Sequence, residues 1–478
     1  MPCVPDRLTS LDATFLNFER PTAPLHVAGL YIFEGTPELE GRPGLAGIFK
    51  AIEERLAEVP RYRQRLAGVP LGLGHPLWIE DPDFDLSYHL RRAALPSPGG
   101  RKELLEYVAR LHARPLDRTR PLWEVYVIEG LADGRMALYS KVHHAMVDGI
   151  SGIDLVTILF DFEAKGRTPR RKGRRLPEAP PSRAELLAGT ALDFAGDIVS
   201  TVRKTVTDPR ALLVNAAGAV AMRTLAQLFR PAPEGPLNVP VGAHRRIELA
   251  AISLDRAKAI KDRWSGTVND VVLTAVAEAV HHFLKQRGGA RPGLVYRVMV
   301  PVSVRDPSQR MTLGNRVTAI FADLPVGPMT PRQRFLSVHR EMAGLKESHQ
   351  ALAADRLIAI TSWAPATLHV LAGRLSLSGQ RFINLVVSNV PGVQAPLYVG
   401  GARLLEAYPL LPLAGNLALV ICVSSYNGSL YWGLIGDRDG LPDLEKLREG
   451  LELGFDRLER AAGIRRSRKA ARGRASSA

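Results

Sequence analysis

The chain has 478 residues, of which 46 % are apolar and 23 % charged, an ordinary globular balance with enough apolar material for more than one domain core. Its two cysteines, Cys3 and Cys422, stand too far apart to make a disulfide framework or a metal knuckle, which fits a reducing, cytoplasmic compartment. The net charge of +15 is concentrated in two places: Lys165 to Arg175 carries seven cations and no acid, and the tail from Arg465 carries six more, so the remaining chain is close to neutral.

The opening residues lack the apolar stretch of a signal peptide, and no leader is expected. No run approaches the roughly 18 uncharged apolar residues that a membrane span needs. The most apolar long region, Ala211 to Phe229, is broken by Asn215, Arg223 and Gln227 and reads as a buried or amphipathic helix.

In chain order, Val27 to Phe33 reads as a strand and Leu45 to Glu58 as a helix ending before Pro60. Leu104 to Leu111 is helical, stopped by Arg114-Pro115-Leu116. Trp123 to Ile128 and Arg135 to Val142 are strand-like, joined by a connection with Asp133-Gly134 turn chemistry. Ser151, with Asp154 three residues on, has the form of a helix cap. Residues 163 to 183 are a Pro- and Arg-rich linker, and 184 to about 230 look helical. The second half begins with a strand at Arg246 to Leu254 and a helix from Asn269 to Lys285. Further strands are expected at Tyr296 to Val302, Val317 to Leu324, Phe382 to Ser388, Leu417 to Ser424 and Ser429 to Ile435. The simplest architecture is two mixed α/β halves joined by a basic linker.

Between a strand end and a helix start lies His143-His144-Ala145-Met146-Val147-Asp148-Gly149. Strand alternation puts Tyr139, Lys141 and His143 on one face and Leu138, Ser140 and Val142 on the other, which His144 continues, so the two histidines are not a matched pair. A neutral imidazole is the natural base near neutral pH. Asp148, with Gly149 allowing a turn behind it, can pin the loop, and if buried it needs a cationic partner. Such doublets are also often purely structural, and His281-His282, in a helical stretch without a following Asp or Gly, reads that way. A zinc site at His143, His144 and Asp148 has no further ligands in sight.

The His143 to Gly149 segment has the HHxxxDG form and resembles the condensing acyltransferase superfamily. In the company of Pro24-Leu25-His26-Val27, Asp81-Pro82-Asp83-Phe84-Asp85, Arg114-Pro115-Leu116-Asp117, Arg120-Pro121-Leu122-Trp123-Glu124, Asn269-Asp270, Pro301-Val302-Ser303-Val304-Arg305, Gly314-Asn315 and Ser388-Asn389-Val390-Pro391-Gly392, the chain looks like the bacterial wax ester synthase/diacylglycerol acyltransferase family from Leu11 to about Leu453. The resemblance implies two chloramphenicol acetyltransferase-like mixed α/β domains with the active site in a tunnel between them. The halves would be residues 1–162 and 241–462, with a basic linker and helical crossover at 163–240 and a basic tail at 463–478.

It further implies transfer of a fatty acyl group from acyl-CoA, a substrate and not a cofactor, to diacylglycerol or a long-chain alcohol. His144 would be the general base, His143 secondary, Asp148 structural support paired with Arg305, and Asn269, Ser388 and Asn389 oxyanion or substrate candidates. No metal and no cofactor are expected. Met146 and Val147 are candidates to line an acyl channel, and Pro121-Leu122-Trp123 reads as structural packing beside the tunnel.

The basic segments, which lack the interleaved aromatics of a nucleic-acid site, read either as solvated linker and tail or as peripheral contacts with a membrane or lipid-droplet surface, where each cation is worth roughly 1 kcal/mol. Two other functions remain open: a condensation-type enzyme using carrier-bound acyl groups, and a non-catalytic lipid-droplet protein.

Overall fold

The computed structural model describes residues 6–35, 45–56, 59–70, 74–147, 159–165, 230–303, 317–347 and 382–464. Asp148, Gly149, the helix expected from Ser151, nearly all of both basic runs, the helical stretch after 184, Arg305 and Gly314-Asn315 lie outside the described residues.

In the first half, α1 (Ser10–Phe18) is capped by Thr9, whose hydroxyl accepts the Asp12 amide. Then follow β1 (His26–Phe33), α2 (Leu45–Leu56), a short 3₁₀ turn at Pro60–Arg63, β2 (Gln64–Ala67), β3 (Leu77–Glu80), α3 (Leu86–His89), β4 (Leu90–Ala94), α4 (Arg101–Ala113), β5 (Trp123–Glu129), β6 (Met136–His143) and the single turn α5 (His144–Val147). The turn between β5 and β6 uses Gly130 and Gly134 at positive φ.

The second half runs β7 (Arg245–Ser253), α6 (Leu254–Arg263), α7 (Val268–Gln286), β8 (Val295–Ser303), β9 (Val317–Pro325), α8 (Pro331–Glu347), β10 (Leu385–Val390), β11 (Tyr398–Val399), β12 (Ala402–Leu410), β13 (Leu419–Tyr426), β14 (Ser429–Asp437) and α9 (Glu445–Ala461). Ser253 ends β7 and caps α6, so the strand expected to reach Leu254 stops one residue short. Thr267 and Asp270 form a reciprocal capping box at the start of α7.

The described residues form two six-stranded sheets, β11-β12-β1-β6-β5-β4 and β7-β14-β13-β10-β8-β9, beside the two-stranded β2-β3. The first draws two strands from the second half of the sequence: β12 pairs antiparallel with β1, Ala28 opposite Leu410. In the second sheet β10 runs parallel to both β8 and β13. Alternation along β13 divides its side chains between two cores. Val420 and Cys422 join the core shared with the first sheet. Leu419, Ile421 and Val423 pack under α7 and α9. Helix α9 approaches α7 closely because position 450 is glycine; a Cβ there would sit 3.0 Å from the Ala279 carbonyl oxygen. Val142 near the end of β6 and Val386 of β10 both belong to the shared core.

Candidate active site

The inner strand β6 is buried along its whole length, yet one face carries Tyr139, Lys141 and His143. The polar groups of Tyr139 and Lys141 are matched. The ring of His112, from α4, faces the Leu411 carbonyl through Nε2 at 3.3 Å, so Nδ1 is left to accept from the Tyr139 hydroxyl at 3.0 Å. Burial lowers the His112 pKa to about 3 and keeps it neutral. Lys141 Nζ reaches Glu124 Oε2 at 3.1 Å and donates to the carbonyls of Leu111 and Arg114 at 3.2 and 3.0 Å. Leu116 donates its amide to His26 Nε2 at 3.3 Å. The Arg114 to Asp117 motif is thus tied through its backbone to the back of the sheet.

His143 stands opposite His26 in the register of β6 and β1, fully buried. Its Nδ1 accepts the Ala145 amide at 3.0 Å, which places the ring proton on Nε2. That nitrogen lies 3.5 Å from Oε1 of Glu19, the residue that ends α1. Glu19 also takes Arg118 Nη2 at 2.6 Å and the Leu25 amide at 3.1 Å. Burial pulls its pKa up, but His143, Arg118 and the Leu25 amide outweigh it and hold the carboxyl at about 2. The same Oε1 lies 3.5 Å from His26 Nε2. Burial, reinforced by Lys141 and His143, pushes the His26 pKa well down.

His144 does not continue the strand alternation beyond Val142. The bond from Ala145 to His143 turns the chain, and His144 becomes the first residue of α5. Its amide donates to the Leu25 carbonyl at 2.9 Å, and its half-buried ring stacks on Phe15 of α1, centroids 3.7 Å apart and planes 23° from parallel. One short segment, α1 to Leu25, therefore grips both histidines. Neither Glu19 nor Phe15 was singled out from sequence, and the only signal is their place just ahead of the Pro24 to Val27 motif.

From the other half, Asn269 lies in the first turn of α7, and its Oδ1 accepts from Asn389 Nδ2 at 3.2 Å. Ser388, its neighbour on β10, is buried. A cavity of about 160 Å³ joins the halves. Its wall includes Val142 and Met146, which bracket His144 in the chain, and Ser388, Val390 and Cys422 from the second sheet. Met146 thus lines this cavity, whereas the Val147 side chain is not described. Leu122 and Trp123 are fully buried, and Trp123 Nε1 donates to the Tyr62 carbonyl at 2.7 Å. Among the described residues no cluster of three His, Cys, Asp or Glu is arranged to hold a metal. No described helix is long and apolar enough to cross a membrane. Within α7, His281 Nδ1 faces the Val326 carbonyl at 2.9 Å and His282 contacts Gln286, both packing roles.

The family description "wax ester synthase/diacylglycerol acyltransferase catalytic domain" matches residues 8–272, and the C-terminal domain of the same family matches residues 313–459. A probable diacylglycerol O-acyltransferase of Mycobacterium tuberculosis is 36 % identical over 466 residues, 96 % of this chain and 100 % of that protein. A second from the same organism is 35 % identical over 98 % of both chains. Among solved structures, the wax ester synthase/diacylglycerol acyltransferase from Marinobacter aquaeolei VT8 superposes with a TM-score of 0.69 at 29 % identity, covering 96 % of this chain and 100 % of the other. The first condensation domain of the CDA synthetase shares the fold at 18 % identity and a TM-score of 0.56, covering 96 % and 98 %.

Proposed function

Because the chain belongs to the wax ester synthase/diacylglycerol acyltransferase family, and is therefore an acyltransferase, we propose that it moves a fatty acyl group from acyl-CoA to the hydroxyl of diacylglycerol or a long-chain alcohol, with His144 as general base. The observation that carries this reading is the seat of His144: a backbone amide held by the Leu25 carbonyl and a half-buried imidazole stacked on the Phe15 ring, on a turn whose Met146 lines an apolar cavity. An imidazole held in this way suits proton transfer near neutral pH, and an apolar cavity suits an acyl chain.

In the reaction, His144 takes the proton from the acceptor hydroxyl as its oxygen attacks the thioester carbonyl. The tetrahedral oxyanion collapses to the new ester, and the thiolate of CoA leaves with the proton that His144 returns. Atoms balance without an acyl-enzyme. Asn269, Asn389 and Ser388 are the candidates to face the oxyanion, and Asp148, paired with Arg305, supports the turn. The acyl-CoA needs no further cofactor. The basic segments would hold the enzyme peripherally on an anionic membrane or lipid-droplet surface on the cytoplasmic side.

The test is His144→Ala assayed for thiol release from acyl-CoA with acceptor present. A fall of roughly 10²- to 10⁴-fold is expected, and a purified, folded variant with full thiol release would end the mechanism.

A further inference from the structure

Three hydroxyls on the cavity wall are already used. Tyr426 donates to the Leu404 carbonyl and accepts the Leu397 amide, Tyr408 donates to Glu406, and Ser425 accepts the Gly392 amide. Tyr31 and Tyr62 differ. Both line the cavity, both are at least 93 % buried, at 7 % and 2 % exposure, and neither hydroxyl bonds to a described residue. Both hydroxyls open on the cavity, so together they are a pair of donors available to an acceptor within it.

The rings that carry them are clamped. Tyr31 packs edge-on against Phe160 at 5.0 Å and Tyr62 against Trp123 at 5.2 Å. Burial holds the proton on both phenols, and Tyr31 adds to that effect at Tyr62, so both remain donors. Tyr31 can adopt its position only because residue 29, two places back on the same face of β1, is glycine. A Cβ there would lie 2.3 Å from the Tyr31 hydroxyl oxygen.

We propose that the Tyr31 and Tyr62 hydroxyls form a polar subsite in the largely apolar cavity that donates hydrogen bonds to a carbonyl oxygen of a substrate ester. This rests on the acyl-transfer reading above. The carbonyl favoured is an ester already present on an acylglycerol acceptor. A simple alkanol carries no such group, so the subsite discriminates between the two acceptor classes. The thioester of the acyl donor offers the same chemistry, and the experiment separates the two sources.

Tyr31→Phe, Tyr62→Phe and the double variant keep the rings and remove only the hydroxyls. Each is assayed with one long-chain acyl-CoA and with either dioleoylglycerol or hexadecanol in matched mixed micelles, alongside a melting curve. The expected result is a loss in kcat/KM of about 3- to 10-fold per hydroxyl with dioleoylglycerol and none with hexadecanol. Gly29→Ala, which displaces the Tyr31 hydroxyl, should reproduce the Tyr31→Phe pattern. An equal loss with both acceptors, with a raised KM for acyl-CoA, assigns the pair to the thioester carbonyl instead. If the double variant melts early, the single variants carry the comparison. Unchanged kcat/KM with both acceptors in well-folded variants overturns the subsite. A wild-type enzyme inactive with both acceptors overturns the acyl-transfer reading itself.

Discussion

Glu19 sets its Oε1 3.5 Å from Nε2 of His143, and His143 in turn accepts the amide of Ala145. These two contacts flank His144 without touching its ring. They decide where the strand stops and where the helical turn begins, and so where the imidazole points. Glu19→Leu should therefore lower kcat by about 10²-fold, the scale of a misplacement near 1 Å, while KM for acyl-CoA stays near its wild-type value. Glu19→Gln, which can still accept from Nε2–H, should recover part of the loss. Steady-state kinetics beside a melting curve check this. A folded Glu19→Leu enzyme with wild-type kcat would show that the contact does not position the base.

The same carboxylate makes a pH-dependent contribution to stability. Its pKa in the folded protein is about 2, below the ordinary value of 4.5. A depressed carboxyl stabilises the folded state fully above its unfolded pKa and loses that contribution as pH falls through the folded one. Melting temperatures of wild type and Glu19→Gln should differ most above pH 4.5 and converge as pH drops toward 2. A gap that stays constant through this window would mean that Arg118 and His143 do not hold the charge.

Lys141 and Glu124 form a pair on the back of the first sheet, with side-chain exposures of 1 % and 8 %. Replacing only Lys141 by Met strands a carboxylate whose other partners are Arg91 at 3.4 Å and the Tyr126 hydroxyl at 2.9 Å. The cost should be about 3–5 kcal/mol, and Lys141→Met with Glu124→Leu should regain much of it, because an apolar pair of similar volume avoids the desolvation of both ions. Denaturant unfolding of the single and double variants measures both numbers. A single variant costing less than about 1 kcal/mol would mean that water reaches the pair.

Elements whose signal is local were legible in the sequence. The apolar runs of β5 and β6, the long apolar pattern of α7 and the reading of His281-His282 as helix packing all depend on neighbours within a few residues. Features that depend on distant partners were not. β12 contains Pro409 and completes the first sheet by pairing with β1, at the other end of the chain. Glu19 is a single acid whose partners, Arg118 and His143, arrive from α4's far side and from β6. Even at His144 the period-two pattern projected one residue too far, because a side-chain acceptor, His143 Nδ1, ends the strand. The cavity that Tyr31 and Tyr62 share is lined from both halves of the chain, so no local pattern marks their hydroxyls.

Asn269 and Asn389 come from α7 and β10 and share a hydrogen bond of 3.2 Å. The bond uses one Asn389 N–H and the Asn269 carbonyl oxygen, which leaves the Asn269 amide N–H groups free of this contact and orients them. If that orientation serves the oxyanion, removing Asn269 should cost much the same as removing both, since Asn389 acts through Asn269. Asn269→Ala should lower kcat by roughly 10²- to 10³-fold, as for loss of one oxyanion donor, and Asn389→Ala by less. Added to Asn269→Ala, Asn389→Ala should bring little further loss, giving a coupling of about 0.5–3 kcal/mol in the cycle. Additive losses would separate the two residues. Unaltered kcat in Asn269→Ala would return the pair to helix-cap and turn chemistry and leave the oxyanion to other donors on the wall shared with Ser388.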